Sequence, residues 1–254
     1  MTDVLLLVNR SLRVVLRQPA AIIPSVAISV FFLFVYNSGL SSVADLPGFQ
    51  GSYLAFILPV AIVSAAVSGA GLAGQELIRD IESGYFTKLL LTPTARLSLV
   101  WGPMIAAATL LVAQVVLIIG LALLLGLDPA TGVLGVLMVI FFAFVWGMAF
   151  AGYSVLMALK TKNAAAAQAA TFAFFPLIFL STTFVPEEYI TAEWLKWAAR
   201  INPTTYVFEA MRSLLIEGWQ AGPLLIGLAV VVGFATLTGG LALRAAYKET
   251  QLTK

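Results

Sequence analysis

Four carboxylates stand in close pairs, Asp80 with Glu82 and Glu187 with Glu188. Paired carboxylates are a pattern that supports acid–base chemistry. Both pairs lie in polar connections, however, where the plain reading is solvated loop charge. The groups that would build a catalytic centre around them are missing, because the 254 residues include no Cys and no His. Serine–histidine catalysis, histidine proton relays and Cys or His metal sites are thereby excluded. No G-x-x-x-x-G-K-[ST] occurs either, so the chain cannot cradle and hydrolyse ATP through a P-loop. The expectation is a protein that is not an enzyme and binds no cofactor or metal directly.

The elements that carry these groups are greasy. The chain is 61% hydrophobic and only 10% charged, with a mean hydropathy of +1.02. A soluble domain devotes about a quarter of its residues to charge. This is the composition of a polytopic membrane protein, and a net charge of +2 gives no reason to expect nucleic acid as a partner. Six apolar runs are long enough for a roughly 30 Å hydrocarbon core. They lie near Ala20–Leu40, Ser52–Gly74, Leu97–Leu125, Thr131–Leu159, Ala164–Phe184 and Gly222–Leu243. The expected fold class is all-α, one membrane domain over 1–254 with an interfacial helix in 1–19, spans in 20–243 and a tail in 244–254.

Orientation follows from the basic residues. Eleven of fourteen Lys and Arg, among them Arg10, Arg13, Arg17, Arg79, Lys88 and Arg244, fall on one side of this arrangement. The positive-inside rule makes that side cytoplasmic, with both termini inside. Ser42-Val43-Ala44 loosely resembles a signal-peptide cleavage site, but cleavage would remove one span and upset the charge asymmetry. The first span is therefore kept.

No Asp, Glu, Lys or Arg falls within any of the six runs. Ion-coupled carriers generally keep an ionisable group at membrane depth, so uphill movement would draw its energy from elsewhere. Gln114 and Gln168 are read as amides joining helices, and small residues at four-residue spacing (Ala66, Ala70, Gly74; Gly147, Ala151) allow close packing. Spacing leaves open whether that packing is within one chain or between two copies. In the fifth run Phe172, Phe174, Phe175 and Phe179 surround Pro176, which favours a kink. Aromatics beside a kink could line a path for apolar molecules; lipid-facing or packing phenylalanines are the simpler reading.

Three polar-flanked segments carry further pattern. Leu5, Val8, Leu12 and Leu16 recur at helical spacing with Arg10, Arg13 and Arg17 on another face, as in a helix lying flat on an anionic inner leaflet. Between runs two and three, Ile78, Ile81, Tyr85 and Leu89 form a stripe solvated by Arg79, Asp80, Glu82 and Lys88. That predicts a short helix parallel to the membrane, stopped by Thr92-Pro93 and followed by a cap at Thr94, with Gly84 marking close approach by another surface. Between runs five and six, Trp194, Trp197 and Ile201 share a face, and Asn202-Pro203 separates them from a second helix where Glu209 and Arg212 could pair. This predicts two short helices dipping into the outer leaflet, joined by a proline turn, with a helix lying on the surface as the simpler alternative.

Three of these stretches, in order and in register with the six runs, resemble the ABC-2 type membrane subunits of ATP-binding-cassette exporters, especially bacterial daunorubicin-resistance-like drug permeases. They are ESGYFTKLLLTPTARLSLV from Glu82, FFPLIFLSTTFVP from Phe174 and NPTTYVFEAMR from Asn202. The resemblance implies a bacterial cell-membrane exporter subunit that pairs with a second permease half, a homodimer in the simplest case. It also implies two cytoplasmic ATPase subunits that carry the ATP and Mg. By that analogy Ile81, Glu82, Ser83, Gly84, Tyr85 and Phe86 belong to the helix that couples to the ATPase, and Arg10, Arg13 and Arg17 to the connecting helix beside it. Thr87 departs from many drug-permease relatives, which carry an acidic residue there. The implied activity is efflux of hydrophobic or amphipathic compounds by alternating access. Lipid or polysaccharide export, an ion-coupled carrier and a membrane-embedded assembly protein are the competing readings.

Overall fold

Backbone N–H and C=O groups that enter hydrocarbon must pair within their own segment, which long Ala-, Leu- and Ile-rich runs do as helices. In the computed structural model every regular element among the described residues is helical. Those residues are 2–16, 19–40, 42, 44, 51–85, 88, 96–184 and 186–252. The long helices are α1 (Thr2–Leu16), α2 (Pro19–Gly39), α3 (Tyr53–Glu82), α4 (Arg96–Leu124) and α5 (Gly132–Thr161). Two short ones follow, α6 (Ala164–Phe172) and α7 (Phe175–Phe179), then α8 (Glu193–Ile201), α9 (Pro203–Arg212) and the long α10 (Ala221–Leu252). Within the described residues four helices are long and apolar enough to cross a membrane: α3, α4 from Val100, α5, and α10 as far as Lys248.

The fifth apolar run differs from its expected form. It is no single span from Ala164 to Phe184, because the helix breaks at Ala173–Phe174 and ends at Phe179. Pro176 sits in the first turn of α7, and Ala173 and Phe174 before it keep right-handed helical dihedrals, so the run is a helix interrupted at the proline, as a kink requires. Ser181 and Thr183 then turn their hydroxyls back onto the Ile178 carbonyl and close the C-terminal end of α7.

Helix α3 is the axis of the bundle. Nearly all its length is buried, and it packs against α2, α4, α5 and α6, while α10 lies against α5. The small residues act within this chain. Gly74 N–H donates to Ser154 Oγ at 3.2 Å, and a Cβ on Gly74 would stand 2.7 Å from the Ser154 carbonyl oxygen. Likewise a Cβ on Gly147 would stand 3.5 Å from the Ala108 Cα. Gln168 joins helices as its amide character suggested, accepting from Gln75 Nε2 at 3.0 Å, and Gly71 leaves the space that its amide fills. Because the Gly74 contact is with backbone, nothing flexible can yield. Gly74→Ala is therefore expected to lower stability by about 1–3 kcal/mol through overpacking, read as a drop in thermal unfolding temperature in detergent. Gly69→Ala, where the added methyl meets open space, is the control.

Candidate functional site

Two polar assemblies stand at opposite ends of α3. The first joins its C-terminal end to α1. Arg10 donates from Nη1 and Nη2 to the two carboxylate oxygens of Asp80, at 2.6 and 2.5 Å, and its Nη1 lies 3.5 Å from Glu76 Oε1. Glu76 and Asp80 are one turn apart on α3, so a single guanidinium faces both. The fork-to-fork pairing with Asp80 is the strong, orienting form of the interaction. Hydrogen bonding to Asp80 is the main cause that raises the Arg10 pKa above its ordinary value, and Arg10 stays charged. The same guanidinium sits 4.2 Å over the ring of Tyr85, a cation–π contact. Arg10 thus touches the last turns of α3 and Tyr85, three residues beyond its end. Helix α1 is set against α4 by Leu7, whose Cβ approaches the space above Gly102.

This arrangement revises several expectations. Arg10 points into the protein and not at a lipid surface, whereas Arg13 is exposed and bonds only Asn9, at 3.2 Å. Arg17 lies outside the described residues. Asp80 and Glu82 are not a solvated pair: Asp80 is buried against Arg10, and Glu82 is exposed. The predicted stripe is divided. Ile78 and Ile81 belong to the end of α3, and Ile78 is buried in the bundle. Ser83 and Gly84 form a turn, and helical backbone resumes at Tyr85, where Lys88 N–H reaches the Gly84 carbonyl at 3.2 Å. Gly84 has φ +71°, a backbone turn that favours glycine whatever else approaches it. Ser83 and Glu82 are exposed at that turn. Phe86, and the expected stop and cap at Thr92, Pro93 and Thr94, fall outside the described residues.

The second assembly lies about 36 Å along α3, at 1.5 Å per residue from Asp80 back to Phe56. Here Arg212 is 6% exposed. Its Nε donates to the Phe56 carbonyl at 2.9 Å, Nη1 to Thr182 Oγ1 at 3.1 Å and Nη2 to the Thr183 carbonyl at 3.2 Å. The guanidinium also lies 3.4 Å over the Phe56 ring. The expected Glu209–Arg212 ion pair does not form among the described residues. Glu209 instead lines, with Arg212, Glu187, Glu188 and Glu217, a cavity of about 350 Å³.

Asn202 completes this second assembly. Its Oδ1 accepts from Thr204 N–H at 3.0 Å, capping α9, and Pro203 follows in the first turn. Its Nδ2 donates to the Leu177 and Leu180 carbonyls, at 2.5 and 3.1 Å, which are terminal groups of α7. From the two ends of α9, Asn202 therefore holds the Leu177 and Leu180 carbonyls and Arg212 holds Thr182 and Thr183 just beyond them. The two short helices on either side of Asn202 are present as expected. Trp194, Trp197 and Ile201 form an exposed face of α8, whereas α9 is packed into the bundle. Arg200 pairs with Glu187 at 2.7 Å.

The phenylalanines of the fifth run lie together on the flank of the molecule. Phe175 is 6.5 Å from Phe172 and 5.6 Å from Phe179 between ring centroids, and 6.0 Å from Phe32 of α2. Phe172 and Phe179 are exposed. Phe32 belongs to the first apolar run, and Phe172, Phe175 and Phe179 belong to the fifth.

Glu76 and the inward turn of Arg10 were not anticipated from the sequence. The available signal was the i, i+4 spacing of Glu76 and Asp80 just beyond an apolar run, which puts two acids on one helix face. Arg212 as a buried cation was also missed, since the charge census counted it among surface groups.

The family description "ABC-2 type transporter" matches residues 2–216. A putative transport permease, ycf38, from Cyanophora paradoxa is 25% identical over 217 residues, 84% of this chain and 73% of that one. A probable doxorubicin resistance ABC transporter permease protein, DrrC, from Mycobacterium tuberculosis (strain CDC 1551 / Oshkosh) is 26% identical over 226 residues, covering 89% and 81%. The match takes in α1, the Arg10–Asp80 contact, the break at Pro176 and the Asn202–Arg212 segment together. This chain is an integral membrane protein of the ABC-2 type transporter family, a permease subunit of an ABC transporter.

Proposed function

We propose that the chain is one permease half of an ATP-driven exporter and that α3, held at both ends by arginine, carries ATPase motion across the membrane. The observation that carries this reading is the Arg10 contact, which ties α1, the end of α3 and Tyr85 into one unit. A force applied to the exposed Glu82–Tyr85 turn cannot move that turn without moving α1 and α3. In this reading Ile81 to Phe86 dock on a cytoplasmic ATPase subunit, two of which bind ATP and Mg and close together. Two copies of the permease, each with six membrane passages and both termini in the cytoplasm of a bacterial cell, face each other. ATP binding drives the change only because the two membrane conformations differ in their contacts with the ATPase.

Cargo on this reading is hydrophobic or amphipathic. The exposed Phe172–Phe175–Phe179 surface supports it, since those rings offer apolar contact without a counter-charge. The name of the mycobacterial relative favours drug efflux over lipid or polysaccharide export. The test is ATP-dependent uptake of a lipophilic dye into inverted liposomes that hold the chain with its partner ATPase. Replacing Glu82 and Gly84 together by tryptophan is expected to abolish uptake while leaving nucleotide binding to the ATPase intact. Full uptake by that variant, or uptake by the permease alone on an ion gradient, would overturn the assignment.

A further inference from the structure

Between α4, α5 and α10 an open groove of about 350 Å³ is lined by Trp101, Met148, Val232, Thr236, Gly240 and Leu243, among others. It has no ionisable wall. Its one hydroxyl, on Thr236, is already committed to the Gly233 carbonyl at 3.0 Å, so nothing in the groove asks for a polar ligand. Gly240 leaves it open, since a Cβ there would meet nothing within 4 Å. Further along the same flank of α10 the chemistry changes. Arg244 and Lys248 follow Gly240 at four-residue spacing, both exposed and without an ion pair among the described residues. From Ala221 to Lys248 α10 carries no Asp or Glu, and Glu249 follows Lys248 directly. Helical side chains lean toward the N-terminus, which tips both cations back toward the groove.

We propose that this groove holds an acyl chain of an anionic glycerophospholipid of the inner leaflet, with its phosphate held by Arg244 and Lys248. The proposal rests on the orientation given above, which puts the C-terminal end of α10 at the cytoplasmic surface. Charge complementarity selects the occupant. A greasy cargo or a second copy of the chain would fill the groove but leave two cations unpaired, and a zwitterionic lipid would bring its own cation against them. Basic residues beside an interhelical groove at the cytoplasmic face are the arrangement that recruits acidic headgroups.

Trp101 reports occupancy directly. The full chain is reconstituted in phosphatidylcholine vesicles containing a small fraction of either phosphatidylglycerol or phosphatidylcholine with brominated chains, which quench tryptophan on contact. The Trp101 contribution is the difference between the protein and Trp101→Phe. The expected result is about fivefold stronger quenching of that contribution by brominated phosphatidylglycerol than by brominated phosphatidylcholine at equal mole fraction. Arg244→Gln with Lys248→Gln brings the two lipids level, and Gly240→Leu removes the excess by filling the groove. Equal quenching by the two lipids means ordinary boundary lipid and overturns the proposal, as does a preference that survives the double substitution. Absence of any Trp101 quenching means that a second copy covers the groove and overturns it too. No ATPase or cargo enters the assay, so its failure and failure of the coupling assignment are separable.

Discussion

Replacing Arg10 by alanine is expected to cut ATP-driven transport by about tenfold or more, equivalent to ~1.4 kcal/mol of lost coupling, while the ATPase still binds nucleotide. The reason lies in what is left behind. Glu76 and Asp80 are buried on one face of α3, and Arg10 is the cation that faces both. Its removal strands two like charges a helical turn apart, with a hydrogen bond from Ser11 still reaching Glu76. Breaking a fully buried pair in this way costs about 3–5 kcal/mol. The Arg10 side chain is 30% exposed, so solvent screens part of that, and about 2 kcal/mol of destabilisation is expected. Arg13→Ala on the same helix removes only an exposed contact with Asn9 and should change stability by less than about 0.5 kcal/mol. Combining Arg10→Ala with Asp80→Ala should cost less than the sum of the two single changes, because each alone exposes the other's unpaired charge. Additive costs, or undiminished transport in Arg10→Ala, would show that the contact is incidental.

The second large effect is expected at Arg212. Arg212→Met leaves the Thr183 carbonyl and the Thr182 hydroxyl without the Arg212 donor inside a packed bundle, and removes the side-chain donor from the Phe56 carbonyl. Unsatisfied buried groups cost about 1–3 kcal/mol each, and relaxation keeps the total below their sum, so a loss of about 3 kcal/mol is expected in thermal unfolding. Lysine keeps the charge but not the planar fork that reaches three acceptors on two segments, so Arg212→Lys should recover less than half of the loss. If lysine restored full stability, charge alone would explain the residue, and its role in tying α9 to α3 would fall.

The apolar runs were legible because each is long, uninterrupted and answerable to one constraint, backbone pairing in hydrocarbon. The two short helices around Asn202-Pro203 were legible for a local reason, since an Asn cap followed by proline is a helix start that needs no tertiary partner. What could not be read was direction. On α1 the basic residues were placed on one lipid-facing side, yet Arg10 turns inward because its partners lie 70 residues away on α3. Gly84 shows the same limit from the other side, since a glycine that admits a neighbour and a glycine that permits positive φ are identical in sequence. At Pro176 the expected interruption is present, and what could not be read is how soon the chain ends after it, where Ser181 and Thr183 turn onto the Ile178 carbonyl.

The most direct test of the account is cross-linking from the Glu82–Tyr85 turn to the partner ATPase. The chain has no Cys, so a single Glu82→Cys carries the only reactive thiol in it. A short thiol–amine cross-linker applied to the assembled transporter should join Glu82→Cys to the ATPase, with a yield that changes between the nucleotide-free and ATP-bound states. Trp194→Cys, on the exposed face of α8 at the far end of the bundle, should give no such product. A cross-link from Trp194→Cys, or none from Glu82→Cys in either state, would contradict the claim that ATP-driven motion enters the membrane at this turn.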